Sequence, residues 1–446
     1  MFLGGAVHRF VTRYPLWSVW LLALAARAVY VLITEPDPYT MIDSGEYDVI
    51  ARNMLEGRGY GPVFVPWLRP PVYPLFLAAV YATGGIILLQ ILQIVLGATT
   101  AVLVGLVARL LHAKPNVVWV AALVAALYPW FFSYVGGIAS ETLFTFLAVV
   151  SLAMVLLAAH QRSLRLTLAA GLVFGLAALT RTNILVMAPG VALWWLWRSR
   201  SMIQPAVFTA AIIATLLPFT IFNLAQGNGL VISSNGGGWS FYLGHNPEST
   251  RHYDGSMTDA EWLEGHSSGP LIDYLGCIVT EQDLIHICPE VPAKDLDAFF
   301  YRAGLRYISE HPVEAFVTDV KKMFHYWRPW VDPRAYPASI VLVTGVSFGL
   351  VLLFAIAGVR GMRKDAAAFV LGIAAFSTLQ GVLWHVQLRY RFAMLDPVLI
   401  ATAAGPLASW VQGVAYALAS AMRERARRAS LPLSGRPAPR SRTSSD

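Results

Sequence analysis

Residues 16–60, LWSVWLLALAARAVYVLITEPDPYTMIDSGEYDVIARNMLEGRGY, carry one long apolar run, two prolines and then the first acidic cluster of the chain. The run is close to the ~20 residues that cross a bilayer. It is flanked by Arg9 and Arg13, as a signal peptide is, but no small-residue cleavage site follows and it reads as a retained span. Similar blocks recur near 85–108, 117–134, 142–160, 166–180, 184–199, 203–224, 338–359, 366–384 and 393–419. Hydrophobic residues make up 57% of the 446 and charged residues only 13%, against about 25% in a soluble chain. The expected fold class is an all-α polytopic membrane protein. It has about ten transmembrane helices, amphipathic juxtamembrane helices and an extracytoplasmic insertion of mixed structure.

Orientation follows from where Lys and Arg collect, because short loops rich in them stay on the cytoplasmic side. With the N-terminus inside, the inside loops are ARLLHAK, QRSLR, WRSR and RGMRK, plus a basic tail whose Pro, Ser and Arg content predicts disorder. The net charge of +7 is then mainly a topology and membrane-surface signal. The tail lacks the aromatics that a nucleic-acid site interleaves with its basic residues. Almost every carboxylate falls on the outer side, in the loop 35–84, in the polar segment 225–335 and at Glu141. Cys277 and Cys288 also lie there, where a structural disulfide is expected, although two cysteines do not by themselves fix their pairing. Neither an HExxH spacing nor a GxxxxGK[ST] loop occurs, which argues against an ATP-driven pump.

In the opening stretch Tyr47, Ile50, Ala51, Met54 and Leu55 recur at helical spacing, while Asp48, Arg52 and Asn53 face away. This predicts an amphipathic helix over 46–56 lying on the membrane surface. EGRGYG stops it, and RPPVYPLFLAAVY starts a short apolar helix with Pro70 and Pro71 in its first turn. Asp43 reads equally as an N-cap, with Glu46 completing a capping box, or as a reactive carboxylate. Arg27 inside the first span, Glu141 at the head of ASETLFTFL, Arg181 at the end of LAALTRTN, and Arg389 and Arg391 in QLRYRF all stand where a bilayer makes charge costly. Singly each fits snorkelling or a helix end. Converging with Asp43 and Arg69 on one side, they suit an anionic lipid headgroup, since guanidinium grips phosphate with paired hydrogen bonds.

These residues carry a family resemblance. DSGEYDVIARNMLEGRGY followed by LRPPVYPLFLAAVY resembles the first outer loop of the GT-C glycosyltransferases, specifically the bacterial relatives of protein O-mannosyltransferases and of the lipid A aminoarabinose transferase. The matched features are Asp43 four residues before Tyr47, the IARN helix, and Arg69-Pro70-Pro71. GLAALTRTNILVMAP is similar to a family segment that contains Arg181, although Thr182 and Asn183 replace its usual Pro. SNGGGWSFYLGHNPEST resembles a Gly-rich outer-loop signature, with His245 where Asn is frequent. YISEHPVEAFVTDVKKMFHYW and LRYRFAMLDP also resemble their family counterparts.

The resemblance implies an integral-membrane enzyme of the bacterial inner membrane. It would move a sugar from a polyprenyl-phosphate donor to a glycolipid, glycan or protein acceptor on the outer face. Asp43 would be the catalytic base of an inverting transfer, and Arg27, Arg69, Arg181, Arg389 and Arg391 would stabilise the departing phosphate. Glu141 would orient acceptor or arginines, and Glu46, Tyr47 and Tyr390, from the matched motifs, complete the substrate-binding set. No cofactor is implied, and a requirement for a divalent cation stays open. The corresponding division is a transmembrane catalytic core 1–224 with the first outer loop 35–84, an extracytoplasmic loop domain 225–335, C-terminal transmembrane helices 336–420, and a basic cytoplasmic tail 421–446. The reading from another class is a lipid-linked glycan transporter or envelope-assembly protein, which would be expected to show paired discontinuous helices in two related halves; no such repeat is found.

Overall fold

The structure is a computed structural model, and it describes residues 16–39, 43–61, 69–112, 114, 116–253, 278–279, 286–287 and 291–429. The predicted Cys277–Cys288 bridge lies outside them. Helix α1, Trp17–Thr34, stops where Glu35 turns left-handed at φ 41° and returns its N–H to Val31 O, ahead of Pro36 and Pro38. Helix α2, Ser44–Leu55, and helix α3, Val72–Tyr81, form a packed pair between the first two long helices. Helix α4, Gly85–His112, then turns to α5, Val117–Leu127, which breaks before Pro129. A residue preceding proline is pushed out of helical backbone, and Tyr128 is accordingly extended. The apolar block 117–134 is thus a shorter helix followed by a 3-10 turn, Pro129–Phe131.

Helix α6, Glu141–Gln161, packs on α7, Leu164–Ala178, which crosses α9, Ile203–Ala225, closely. A Cβ on Gly171 would come within 2.6 Å of Phe208 O and of Ala211 Cβ, so only glycine permits this approach. The block 184–199 becomes a 3-10 turn, Thr182–Val186, and helix α8, Met187–Ser199. Beyond α9 the described residues of the polar segment are mainly helical, with α10 (Gly237–Gly244), α11 (Ser249–Tyr253), α12 (Leu296–Glu310) and α13 (Pro312–Trp327). A two-residue antiparallel ladder, Ile278–Val279 with His286–Ile287, adds the mixed character. Helices α14 (Ala338–Arg360) and α15 (Lys364–Leu383) follow. The block 393–419 divides into α16 (Leu388–Met394) and α17 (Asp396–Ala429). Helix α17 runs into 421–446, where the sequence predicts a disordered tail; the rest of that tail lies outside the described residues.

Among the described residues seven helices are long and apolar enough to cross a membrane: α1, α4, α6, α9, α14, α15 and α17. With the shorter apolar helices α3, α5 and α7 they make the chain an all-α polytopic membrane protein. Asp48 corrects the sequence reading of α2: it is buried, not outward-facing, because Tyr81 donates to it at 2.6 Å and Arg52 at 2.9 Å.

Candidate active site

The site forms where the start of α2, the chain before α3, the start of α6, the end of α7 and the start of α16 meet. Local bonds set each piece. Ser44 Oγ donates to Ile138 O at 2.8 Å, fastening α2 to the turn before α6. Gln93, buried on α4, accepts from Gly136 N at 2.9 Å and donates to Gly137 O at 2.9 Å, which satisfies the backbone of that turn. Val72 N donates to Leu179 O at 2.9 Å and brings Arg69 alongside Arg181. The Tyr47 ring packs edge-on against Tyr73, 4.8 Å between centroids.

Asp43 makes no side-chain cap bond to α2; only its carbonyl serves the helix, accepting from Tyr47 N at 3.2 Å. Its carboxylate accepts from Arg69 Nη2 at 2.9 Å on one oxygen and from Arg389 Nη1 at 3.0 Å on the other. Arg69 Nε donates to Glu46, so the expected capping box is replaced by a shared arginine. Glu141 accepts from Arg181 Nη1 at 2.7 Å and lies 3.6 Å from Arg389 Nη1. The Tyr390 ring sits 5.5 Å from the Arg181 guanidinium and 5.6 Å from that of Arg389, within cation–π range of both. Tyr47 OH donates to Ser140 Oγ at 3.4 Å, and Arg181 Nη1 also donates there at 3.0 Å.

Eight of the ten residues singled out on the sequence, Asp43, Glu46, Tyr47, Arg69, Glu141, Arg181, Arg389 and Tyr390, therefore share one network. Its side chains are largely covered, Asp43 being 13% and Arg389 18% exposed. Burial opposes the charge on Asp43, but Arg69, Arg389 and Arg181 outweigh it and hold the carboxyl well below the usual carboxylate range. Burial likewise works against the charge on Arg69, yet Asp43 and Glu46 keep its pKa above the ordinary arginine value. Ser140, which bonds both Tyr47 and Arg181, and Gln387, which accepts from Arg389 Nε, escaped the sequence reading. Both stand in stretches read for their charged neighbours, ASETLFTFL and QLRYRF, and being uncharged they drew no signal of their own.

Arg391 and Arg27 lie elsewhere. Residues 389 and 391 are about 200° apart around α16, so their side chains leave in opposite directions. Arg391 is fully buried, donating to Asp396 at 3.2 Å, to Tyr326 O at 3.1 Å and to Arg328 O at 2.6 Å, with its guanidinium 3.5 Å over the Phe348 ring. Arg27 donates to Ala126 O at 3.0 Å and Ala125 O at 3.4 Å, meeting the negative end of α5. A Cβ on Gly97 would stand 2.7 Å from Arg27 Nε, so a glycine on α4 makes room for it.

A crevice lined by Trp130, Phe131, Tyr134, Thr145 and Phe392 reaches Glu141 from the apolar interior. Among the described residues no group of three or more His, Cys, Asp or Glu side chains is placed to hold a metal ion.

Fold and cluster together define the class: a polytopic helical membrane protein with a charged site where its loops meet. Residues 68–222 match the family described as dolichyl-phosphate-mannose-protein mannosyltransferase, a range that holds Arg69, Glu141 and Arg181 but not Asp43 or Arg389. Among solved structures, the fold is similar to the archaeal oligosaccharyltransferase AglB from Archaeoglobus fulgidus in complex with an inhibitory peptide and a dolichol-phosphate. That match has a TM-score of 0.51 and 14% identity, covering 88% of this chain and 50% of that one. A second structure of the Archaeoglobus fulgidus oligosaccharyltransferase, tethered to an acceptor peptide, matches at TM-score 0.51 and 15% identity over 87% of this chain and 49% of that one. The chain thus spans about half the length of the structures it matches. No curated protein matches the sequence. The family match covers about a third of the chain, and the likeness to the solved structures is one of fold.

Proposed function

We propose that the protein transfers a sugar from a polyprenyl-phosphate carrier to an acceptor on the extracytoplasmic face of a bacterial inner membrane. The observation that carries this reading is the Asp43 carboxylate held between Arg69 and Arg389, beside Arg181. Planar guanidinium groups suit the donor phosphate, and a carboxylate among them suits the acceptor proton. The dolichol-phosphate bound in one archaeal structure and the acceptor peptide tethered in the other support a lipid phosphate and an acceptor for this chain too.

In the resting site Asp43 is a weak base, because its arginines stabilise the ionised form. Donor phosphate draws Arg69 and Arg389 toward itself and leaves the carboxylate free to take a proton. The acceptor O–H then gives its proton to Asp43 as its oxygen bonds to the anomeric carbon. The bond from that carbon to the phosphate oxygen breaks, the configuration inverts, and polyprenyl phosphate leaves with its growing charge held by the arginines. Glu141 positions Arg181 and Arg389 for this. The reading is tested by comparing the masses of envelope glycans from cells with and without the gene. One missing hexose, pentose or amino sugar is expected. Unchanged glycans, together with no release of polyprenyl phosphate from polyprenyl-phosphate sugars by the purified protein, would overturn it.

A further inference from the structure

Helix α13, Pro312–Trp327, turns its two faces to opposite partners in an unusual way. Ala315, Thr318, Lys322 and Tyr326 are its buried positions and fall within an arc of about 80°. Val313, Phe316, Val317, Val320 and Phe324 fall within about 100° centred on the opposite side. Of these, Val313 is 70%, Phe316 68% and Phe324 69% exposed. The helix therefore packs its small and polar side on the protein and presents its large apolar side outward. In water this pattern is inverted; in hydrocarbon it is the expected one.

Two contacts give the depth. Tyr326 OH hydrogen-bonds Ser377 Oγ, and Trp327 Nε1 donates to Thr378 Oγ1 at 3.1 Å. Ser377 lies six residues before the end of the span α15, about 9 Å along its axis, so the C-terminal turn of α13 stands level with the membrane-crossing part of α15. The chain then passes Trp330 and Tyr336, 44% and 50% exposed, residue types that gather at bilayer interfaces, before entering the span α14. On α14, Leu342 and Val343 are exposed as well.

We propose that α13 is an in-plane membrane anchor whose outward stripe is seated in the acyl chains of the leaflet on the site's side. Its protein side carries that level to the site. Lys322 Nζ donates to Gly244 O at 3.3 Å and to His245 Nε2 at 3.2 Å, while His245 Nδ1 donates to Phe241 O at 2.9 Å, and these bonds hold α10. The carbonyls of Tyr326 and Arg328 hold Arg391, two residues from Arg389. The proposal does not depend on which reaction the site performs.

The test is nitroxide scanning of the full chain, with Cys277→Ser and Cys288→Ser, in bilayers of phosphatidylethanolamine and phosphatidylglycerol. Labels at 313, 316, 317 and 324 are expected to be relaxed by oxygen and shielded from a water-soluble nickel chelate, and labels at 309 and 314 the reverse. Nickel access at the stripe would show it in water, and exclusion of both reagents would show a protein cover such as a second copy; either result overturns the proposal. Should the cysteine-free chain fail to fold, photo-crosslinking from benzophenone at 316 and 324 in the native chain decides by the same rule, phospholipid adducts supporting it and protein adducts or none contradicting it.

Discussion

Asp43 and Arg389 stand 346 positions apart in the chain and 3.0 Å apart in space. That ion pair joins the loop after the first span to the short helix α16 before the last helix. With Arg69 on the other carboxylate oxygen, it leaves the Asp43 side chain with no part in capping α2.

Arg69 and Arg389 are expected to act through their planar fork as well as their charge. Replacing either by Lys keeps the charge and loses a paired contact, which should cost about 1.5–3 kcal/mol of transition-state stabilisation, roughly 10- to 100-fold in kcat/KM. Steady-state transfer by Arg69→Lys and Arg389→Lys measures it. Parental kcat/KM in both would remove the phosphate assignment.

Arg391 should behave differently, as a structural ion. Arg391→Met leaves Asp396 buried without its cation, a loss of about 3–5 kcal/mol. A clear fall in apparent melting temperature in detergent is the expected result. A variant that melts like the parent but no longer binds polyprenyl phosphate would return Arg391 to the phosphate-binding set.

The depressed pKa of Asp43 has a definite sign. Its folded value lies below the ordinary ~3.9, so its stabilising contribution is complete above about pH 4 and is lost as the pH falls below it. For the free protein, kcat/KM should show no acid limb from Asp43 above about pH 5. Arg69→Ala removes a neighbouring cation and should move that limb upward. An acid limb above about pH 5 in the parent that Arg69→Ala leaves in place would contradict this assignment.

Orientation is checked independently of activity. A reporter fused after Gly227 should read as extracytoplasmic and one after Lys364 as cytoplasmic, as the basic loops require. The reversed pair would put the site on the wrong side for a lipid-linked donor.

Much of this was legible in the sequence because bilayers impose simple rules. Long apolar blocks marked the spans, and charges near their ends marked Asp43, Arg69, Glu141, Arg181 and Arg389 as candidates, which the structure brings together. What the blocks hid was continuity: Pro129 ends α5 early, and α16 separates from α17 at Leu395. Direction was hidden as well. Arg389 and Arg391 read alike as a pair of cations, and only the helical turn between them sends one to Asp43 and the other to Asp396. Arg27 reads as an intramembrane charge seeking an anion, yet its partners are the carbonyls of Ala125 and Ala126, which have no sequence signature. Asp48 was misread because its partner Tyr81 lies on a different helix.

Asparagine at position 43 keeps the size of aspartate and one of its two acceptor oxygens while removing its charge and its ability to take a proton. In cells lacking the gene and supplied with Asp43→Asn, the protein should accumulate in the membrane at the parental level while sugar transfer falls by roughly 10²–10⁴-fold, the usual contribution of a positioned general base. Near-parental transfer by a normally accumulating Asp43→Asn protein would contradict the assignment of Asp43 as the base.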